Sequence, residues 1–165
     1  MKNIAFFDTE VSMKTKKIVD FGAIKSSGEW IHEDNLSRLI DFLLSVDFIC
    51  GHNIIHHDLK YLDTSVTKAN KFLIDTLYLS ALLFPQQPYH RLVKDDKLQT
   101  EELNNPLNDA KKARVLFYDE VEAYHKLPLE LKRIFYTLLN NQNEFRGFFK
   151  FLDFSEIVTD ICGEI

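Results

Sequence analysis

Two carboxylates one residue apart, Asp8 and Glu10, follow directly on the apolar run Ile4 to Phe7. In an extended chain, side chains at i and i+2 project to the same side. Two acids placed that way repel each other unless a cation sits between them, and hard oxygen ligands suit Mg²⁺ or Mn²⁺. An Asp-x-Glu pair by itself equally describes the solvated end of a strand. Two further acids shift the balance. Asp58, in GHNIIHHDLKYL, is expected just inside a helix that follows a buried strand. Asp109, in NNPLNDAKKARVLF, falls in the first turns of a long helix, where the helix dipole favours a carboxylate. From one strand and two helices, the four acids can converge at the C-terminal end of a central strand. Such a cluster can hold two metal ions about 3.5–4 Å apart, the geometry that activates water and stabilises the leaving oxygen in phosphodiester cleavage.

The elements that must position these acids follow from hydrophobic periodicity and from turn residues. Asn3 to Phe7 reads as a buried strand whose C-terminal end carries the acids. Ile18 to Lys25 is a second strand, and a Ser-Ser-Gly turn leads to a third at about Glu29 to His32, an antiparallel meander. Asp34 or Asn35 can cap a helix through Leu36, Leu39, Ile40, Leu43 and Leu44. Asp47 to Cys50 is a short buried strand, followed by a helix through Leu59 and Leu62, a strand at Phe72 to Ile74, and a helix from Thr76 to Phe84 stopped by Pro85. Pro85 to Pro88 is a linker loop. Asn105 and Pro106 form a cap and first turn for a helix running to about His125. Helices from Pro128 to about Leu139 and from Asn143 to Leu152 complete the chain. The pattern predicts one α/β domain over residues 1–165, a mixed sheet flanked by helices with an all-helical end.

Composition narrows the classes. With 45% hydrophobic residues and fourteen Phe in 165 residues, a substantial core is expected and wholesale disorder is not. No apolar run reaches the length of a membrane span, and the N-terminus lacks a signal-peptide pattern, so a cytoplasmic location is expected. Two cysteines make neither a disulfide framework nor a four-ligand zinc site; Cys50 reads as a small buried hydrophobe. The net charge of −5 argues against coating nucleic acid through bulk electrostatics, yet permits an enzyme that grips a few phosphates beside bound metal ions. Lysines and arginines cluster at Lys14–Lys17, at Arg91, Lys94 and Lys97, and at Lys111, Lys112 and Arg114, each readable as a solvated face. Tyr89 and Trp30 are of a type that stacks on bases, with core or hinge packing as the plainer use.

At the acids the chain resembles a known family. FFDTE followed by KIVDFGAI resembles the first motif of the DEDD (DnaQ-like) 3′–5′ exonucleases and the strand after it. GHN…D resembles their second motif, IDTLYLSALL the helix that follows, and NDAKKA the Asp-Ala helix of the third. These motifs lie within residues 3–117, ahead of the helical part 118–165. PYHRLVKDDKL and the segment through Phe117 are similar to the exonuclease-type domain fused ahead of some bacterial RecQ-family helicases, which implies a longer parent chain with a linked helicase. The resemblance implies a ribonuclease H-like fold, two Mg²⁺ or Mn²⁺ ions, and a single-stranded 3′ end, DNA favoured, as substrate. It implies that Asp8 bridges both ions, that Glu10 and Asp109 complete the coordination of the first ion, and that Asp58 holds the second ion partly through water. Thr9, Asn53, His90 and Asn104 are the candidates for substrate contact.

The chain departs from that pattern in three places. Where family members carry a His or a Tyr as base before the last Asp, this chain has Asn104 and Asn105. A neutral amide cannot accept a proton at neutral pH. The residue before Asp58 is His57 rather than an apolar aromatic, and Val11-Ser12 replaces a Thr-rich stretch. His90 is one candidate for the vacant role; His52 reads as a structural residue at a strand end, and His56 and His57 as partners of Asp58 or an exposed turn. Three functions stay open: an exonuclease, a weakly active or inactive nucleic-acid-binding or recruitment module on the same scaffold, and a ribonuclease H-type endonuclease.

Overall fold

The computed structural model describes residues 2–62, 64–69, 71–92 and 105–157. Asn104, Lys94, Lys97 and Cys162 lie outside the described residues. Strands β1 (Ile4–Val11), β2 (Ile18–Lys25), β3 (Trp30–Glu33), β4 (Phe48–Gly51) and β5 (Phe72–Asp75) form one sheet in the order β3-β2-β1-β4-β5. The β1–β2 and β2–β3 pairs are antiparallel, while β1–β4 and β4–β5 are parallel. Six helices accompany it: α1 (Leu36–Leu44), α2 (Thr64–Lys68), α3 (Thr76–Leu83), α4 (Pro106–Lys126), α5 (Leu129–Leu139) and α6 (Asn143–Leu152). This is the α/β architecture expected from the sequence, a mixed sheet between helices, consistent with the ribonuclease H-like exonuclease fold. Among the described residues, no helix is long and apolar enough to cross a membrane.

The β1 sequence is apolar on both sides because both its faces are covered, which removes the alternation of a half-exposed strand. Ala5 and Phe7 point into a core with α1, Ile49 and Ile54. Ile4 and Phe6 point into the other, with Phe117, Tyr124 and Phe148 from α4 and α6. Edge-to-face ring contacts knit that second core, Phe117 to Phe151 at 4.8 Å and Tyr124 to Phe148 at 5.4 Å. The outer edge of β5 is sheathed by α6. Gly147 lies so close that a Cβ there would stand 1.9 Å from the Leu73 carbonyl oxygen.

β1 carries the acid pair at its C-terminal end, as expected, and runs on to Val11 because β2 continues to pair with it that far. Three local expectations need correction. β3 is displaced by one residue, to Trp30–Glu33. Residues 58–60 form only a 3-10 turn, and a separate short helix follows at Thr64. Trp30 and Tyr89 are both exposed rather than packed.

The buried stripe of α4 runs Ala110, Ala113, Phe117, Glu120, Tyr124, a helical period with one carboxyl inside it. Glu120 is fully buried, and neither of its oxygens has a hydrogen-bond partner among the described residues. Burial, with the charges of Asp75 and Asp119 adding to it, pushes its pKa up to about 10. The folded protein therefore holds this proton where the unfolded chain, titrating near 4.5, releases it. Its contribution to stability is fully present below the unfolded pKa and is lost as pH rises toward the folded one. Glu120→Gln should remove that slope. Between pH 5 and pH 8, wild-type stability should fall relative to the variant by about 1 kcal/mol per pH unit in denaturant titrations; parallel curves would contradict the assignment.

Candidate active site

The geometry of the site begins where β1 loses a neighbour. β4 pairs with it only from Ile4 to Phe6, whereas β2 accompanies it to Val11. The chain turns away at Gly51, which passes so near β1 that a Cβ would stand 2.6 Å from the Phe7 carbonyl oxygen. Past that point the β4-side edge of β1 is open, and its backbone groups need other partners. Asp58 supplies one. Its Oδ1 accepts the Thr9 backbone N–H at 3.1 Å and also the Thr9 hydroxyl hydrogen. Its Oδ2 lies 3.5 Å from Nδ1 of the half-exposed His57. Burial raises the Asp58 carboxyl above its usual range, while the bonds from Thr9 and the proximity of His57 pull the other way.

The loop that delivers Asp58 is fixed by a second buried acid. Asp75, at the end of β5, accepts backbone N–H bonds from Asn53 at 2.7 Å, Ile55 at 3.0 Å and Leu77 at 3.1 Å. One carboxylate thus shapes the turn after β4 and caps α3. Asn53 within this turn has φ 62°, a left-handed conformation that Asn tolerates better than most residues. His52 donates to or accepts from the Thr76 hydroxyl through Nδ1, at 2.9 Å. Burial lowers its pKa to about 4, so it is neutral at physiological pH.

Asp8 and Glu10 share the side of β1 that carries Ile4 and Phe6, the side against which α4 packs. Gly22 of β2, paired with Asp8, receives the first turn of α4. A Cβ on Gly22 would stand 2.1 Å from the Leu107 backbone nitrogen. Asn105 caps that turn, its Oδ1 accepting from the backbone N–H groups of Leu107 and Asn108. Asp109 is thereby set in the first turn of α4, where its Oδ1 lies 3.8 Å from Lys112 Nζ.

All four acids line one cleft of about 830 Å³ together with Thr9 and Asn53. His52, His57, Leu77, Arg91 and Leu92 complete its walls. The structure brings the acids to one cleft without bringing them to one point. Among the described residues, no three of the His, Cys, Asp and Glu side chains form a group able to hold a metal ion. Asp58 has Oδ1 committed to Thr9, whose side chain lies on the opposite face of β1 from Asp8 and Glu10. His90 lies outside this lining; its Nδ1 meets Ser80 Oγ at 3.0 Å, over a neighbouring cavity. Two contributors were missed in the sequence: Arg91, which read as part of a solvated basic run, and Gly22, whose role exists only through a contact distant in the chain; Asp75 was seen within IDTLYLSALL, but its hold on the Asn53 turn was not.

No family model matches the chain, and no curated protein matches it. Among solved structures it is similar to the family B DNA polymerase from the hyperthermophilic archaeon Pyrobaculum calidifontis, with a TM-score of 0.48 and 15% identity. The likeness covers 73% of this chain and 25% of the polymerase, so the chain spans about a quarter of that protein's length. A likeness this distant assigns no function.

The Asp58 contacts predict a separation of charge from architecture. Asp58→Ala leaves two buried donors of Thr9 without an acceptor, a loss of about 1–3 kcal/mol in chemical unfolding. Asp58→Asn keeps an acceptor oxygen and should retain most of that stability. Equal losses in the two variants would contradict the structural role of the Thr9 contacts.

Proposed function

We propose that the chain is a metal-dependent 3′–5′ exonuclease domain that shortens single-stranded nucleic acid ends, DNA favoured. The observation that carries this reading is the placement of Asp8, Glu10, Asp58 and Asp109 around one open cleft at the uncovered end of β1. The donor set is all hard carboxylate oxygen, the chemistry that suits Mg²⁺ or Mn²⁺. Asp8, Glu10 and Asp109 would hold the ions once their side chains turn toward one another, since as they stand no three of them form a metal-holding group. Asp58, with Oδ1 committed to Thr9, would contribute through its other oxygen or through water. When bound, two such ions supply an activated water and neutralise charge at the scissile phosphate.

The protein's own groups perform the remaining tasks. Arg91 on the cleft wall offers a cation for a phosphate. His52, held neutral and tied to Thr76, keeps a positive charge away from the ions. His57 is the half-exposed imidazole beside Asp58, its Nδ1 3.5 Å from Oδ2 of that carboxylate. A second reading, a binding or recruitment module without catalysis, draws support from the absence of a closed carboxylate group among the described residues.

A single strand labelled at its 5′ end should give a ladder shortening from the 3′ side in Mg²⁺ or Mn²⁺, and none in EDTA. Asp8→Ala should lower the rate about 100-fold or more, since even outer contacts of a metal site are worth 10–100-fold. Internal cuts in a circular single strand would replace this reading with an endonuclease. Binding of the strand with no cleavage in either metal would leave the recruitment module.

A further inference from the structure

A second cavity, of about 540 Å³, adjoins the acid cleft between α3, the loop after it and α4. Arg91 and Leu92 line both spaces, so the two share a wall. Its remaining character is unlike that of the acid cleft. Lys111 and Lys112 reach it from α4 and Arg91 from the loop, with Asp119 as the one carboxylate among the described residues that line it. The basic runs at 91 and at 111–112, separate in sequence, thus meet around one opening in a chain whose net charge is −5. Between the cations, Leu92, Val115 and Leu116 give an apolar surface, and Val115 is 63% exposed. Lys112 also faces Asp109 at 3.8 Å, which places its ammonium on the boundary with the acid cleft.

We propose that this cavity is a nucleotide subsite that holds the single strand beside the acid cleft, its phosphate on Arg91, Lys111 and Lys112 and its base against Leu92, Val115 and Leu116. The proposal rests on the reading that the acid cleft receives a nucleic acid strand. Cations around an apolar surface fit a phosphate joined to a flat base, and such contacts serve single strands without regard to sequence. The volume lies within the range of small-ligand sites, about 300–1,000 Å³. The arrangement also has an electrostatic logic. Without metal ions the acid cleft repels phosphate, so metal-free affinity for a strand must come from basic surface outside it, and this one adjoins the cleft.

The test is fluorescence anisotropy with 5′-labelled eight-residue strands of dT and of U, in EDTA, so that hydrolysis and metal binding are both removed. Wild type should bind, with affinity falling as salt rises. Lys111→Gln should reduce the slope of log K against log salt by about 0.7, the value for one lost phosphate contact on a single strand. Val115→Glu should weaken binding about tenfold by setting a carboxylate in the apolar surface. Both residues are exposed, so both variants should keep the wild-type melting temperature. Similar affinity for dT and U supports recognition through phosphate and base face; a preference for one supports the subsite and names its strand. No binding by wild type in EDTA, or wild-type affinity in both variants, overturns the proposal. A protein that binds in this way yet cleaves nothing in metal overturns the exonuclease reading and leaves the subsite standing.

Discussion

The contact between Asp58 and Thr9 organises the site end of the molecule. A strand that outruns its neighbour exposes backbone groups that must be satisfied, and here a carboxylate from a remote turn satisfies one of them. The same contact draws the 3-10 turn onto β1 and buries Leu59 beneath it. It also divides the acids by face. Asp58 serves the side of β1 bearing Thr9, while Asp8 and Glu10 face α4. The cleft that results has carboxylates on facing walls and an interior wide enough for a ligand.

Two close approaches hold those walls in place. At Gly22 the start of α4 rests on the sheet backbone beside Asp8, and that contact brings the helix turn carrying Asp109 to the cleft that Asp8 lines. At Gly147, α6 lies on β5 in the same manner, which steadies the strand whose last residue, Asp75, shapes the Asn53 turn. A side chain at either glycine would displace a helix axis rather than a flexible group, since the atoms met are backbone. Polar order therefore begins with helix packing several residues away from the cleft.

The periodic elements were legible because their signals are local. The stripe Ala110 to Tyr124, the Asn105-Pro106 cap and the boundaries Asn143–Leu152 follow from residue types within one or two turns. The acid pair and the two later acids were visible as chemistry, and the cleft does collect them. What stayed hidden depends on long-range contacts. The 3-10 turn at Asp58 replaces a helix because the Asp75 and Thr9 bonds dictate the path of residues 53–58. Likewise, Glu120 occupies a core position that periodicity assigns to an apolar residue, and no local pattern marks it as an exception.

The central claim is that the cleft at the open end of β1 binds divalent ions through its carboxylates, and thermal unfolding with and without Mn²⁺ tests it most directly. A ligand that binds only the folded state at about 100 times its Kd contributes about 2.7 kcal/mol, which for a chain of this size corresponds to roughly 5–10 °C. Wild type should show a rise of that order, and Asp8→Ala should show little of it. No rise in wild type, or an equal rise in both proteins, would contradict the account.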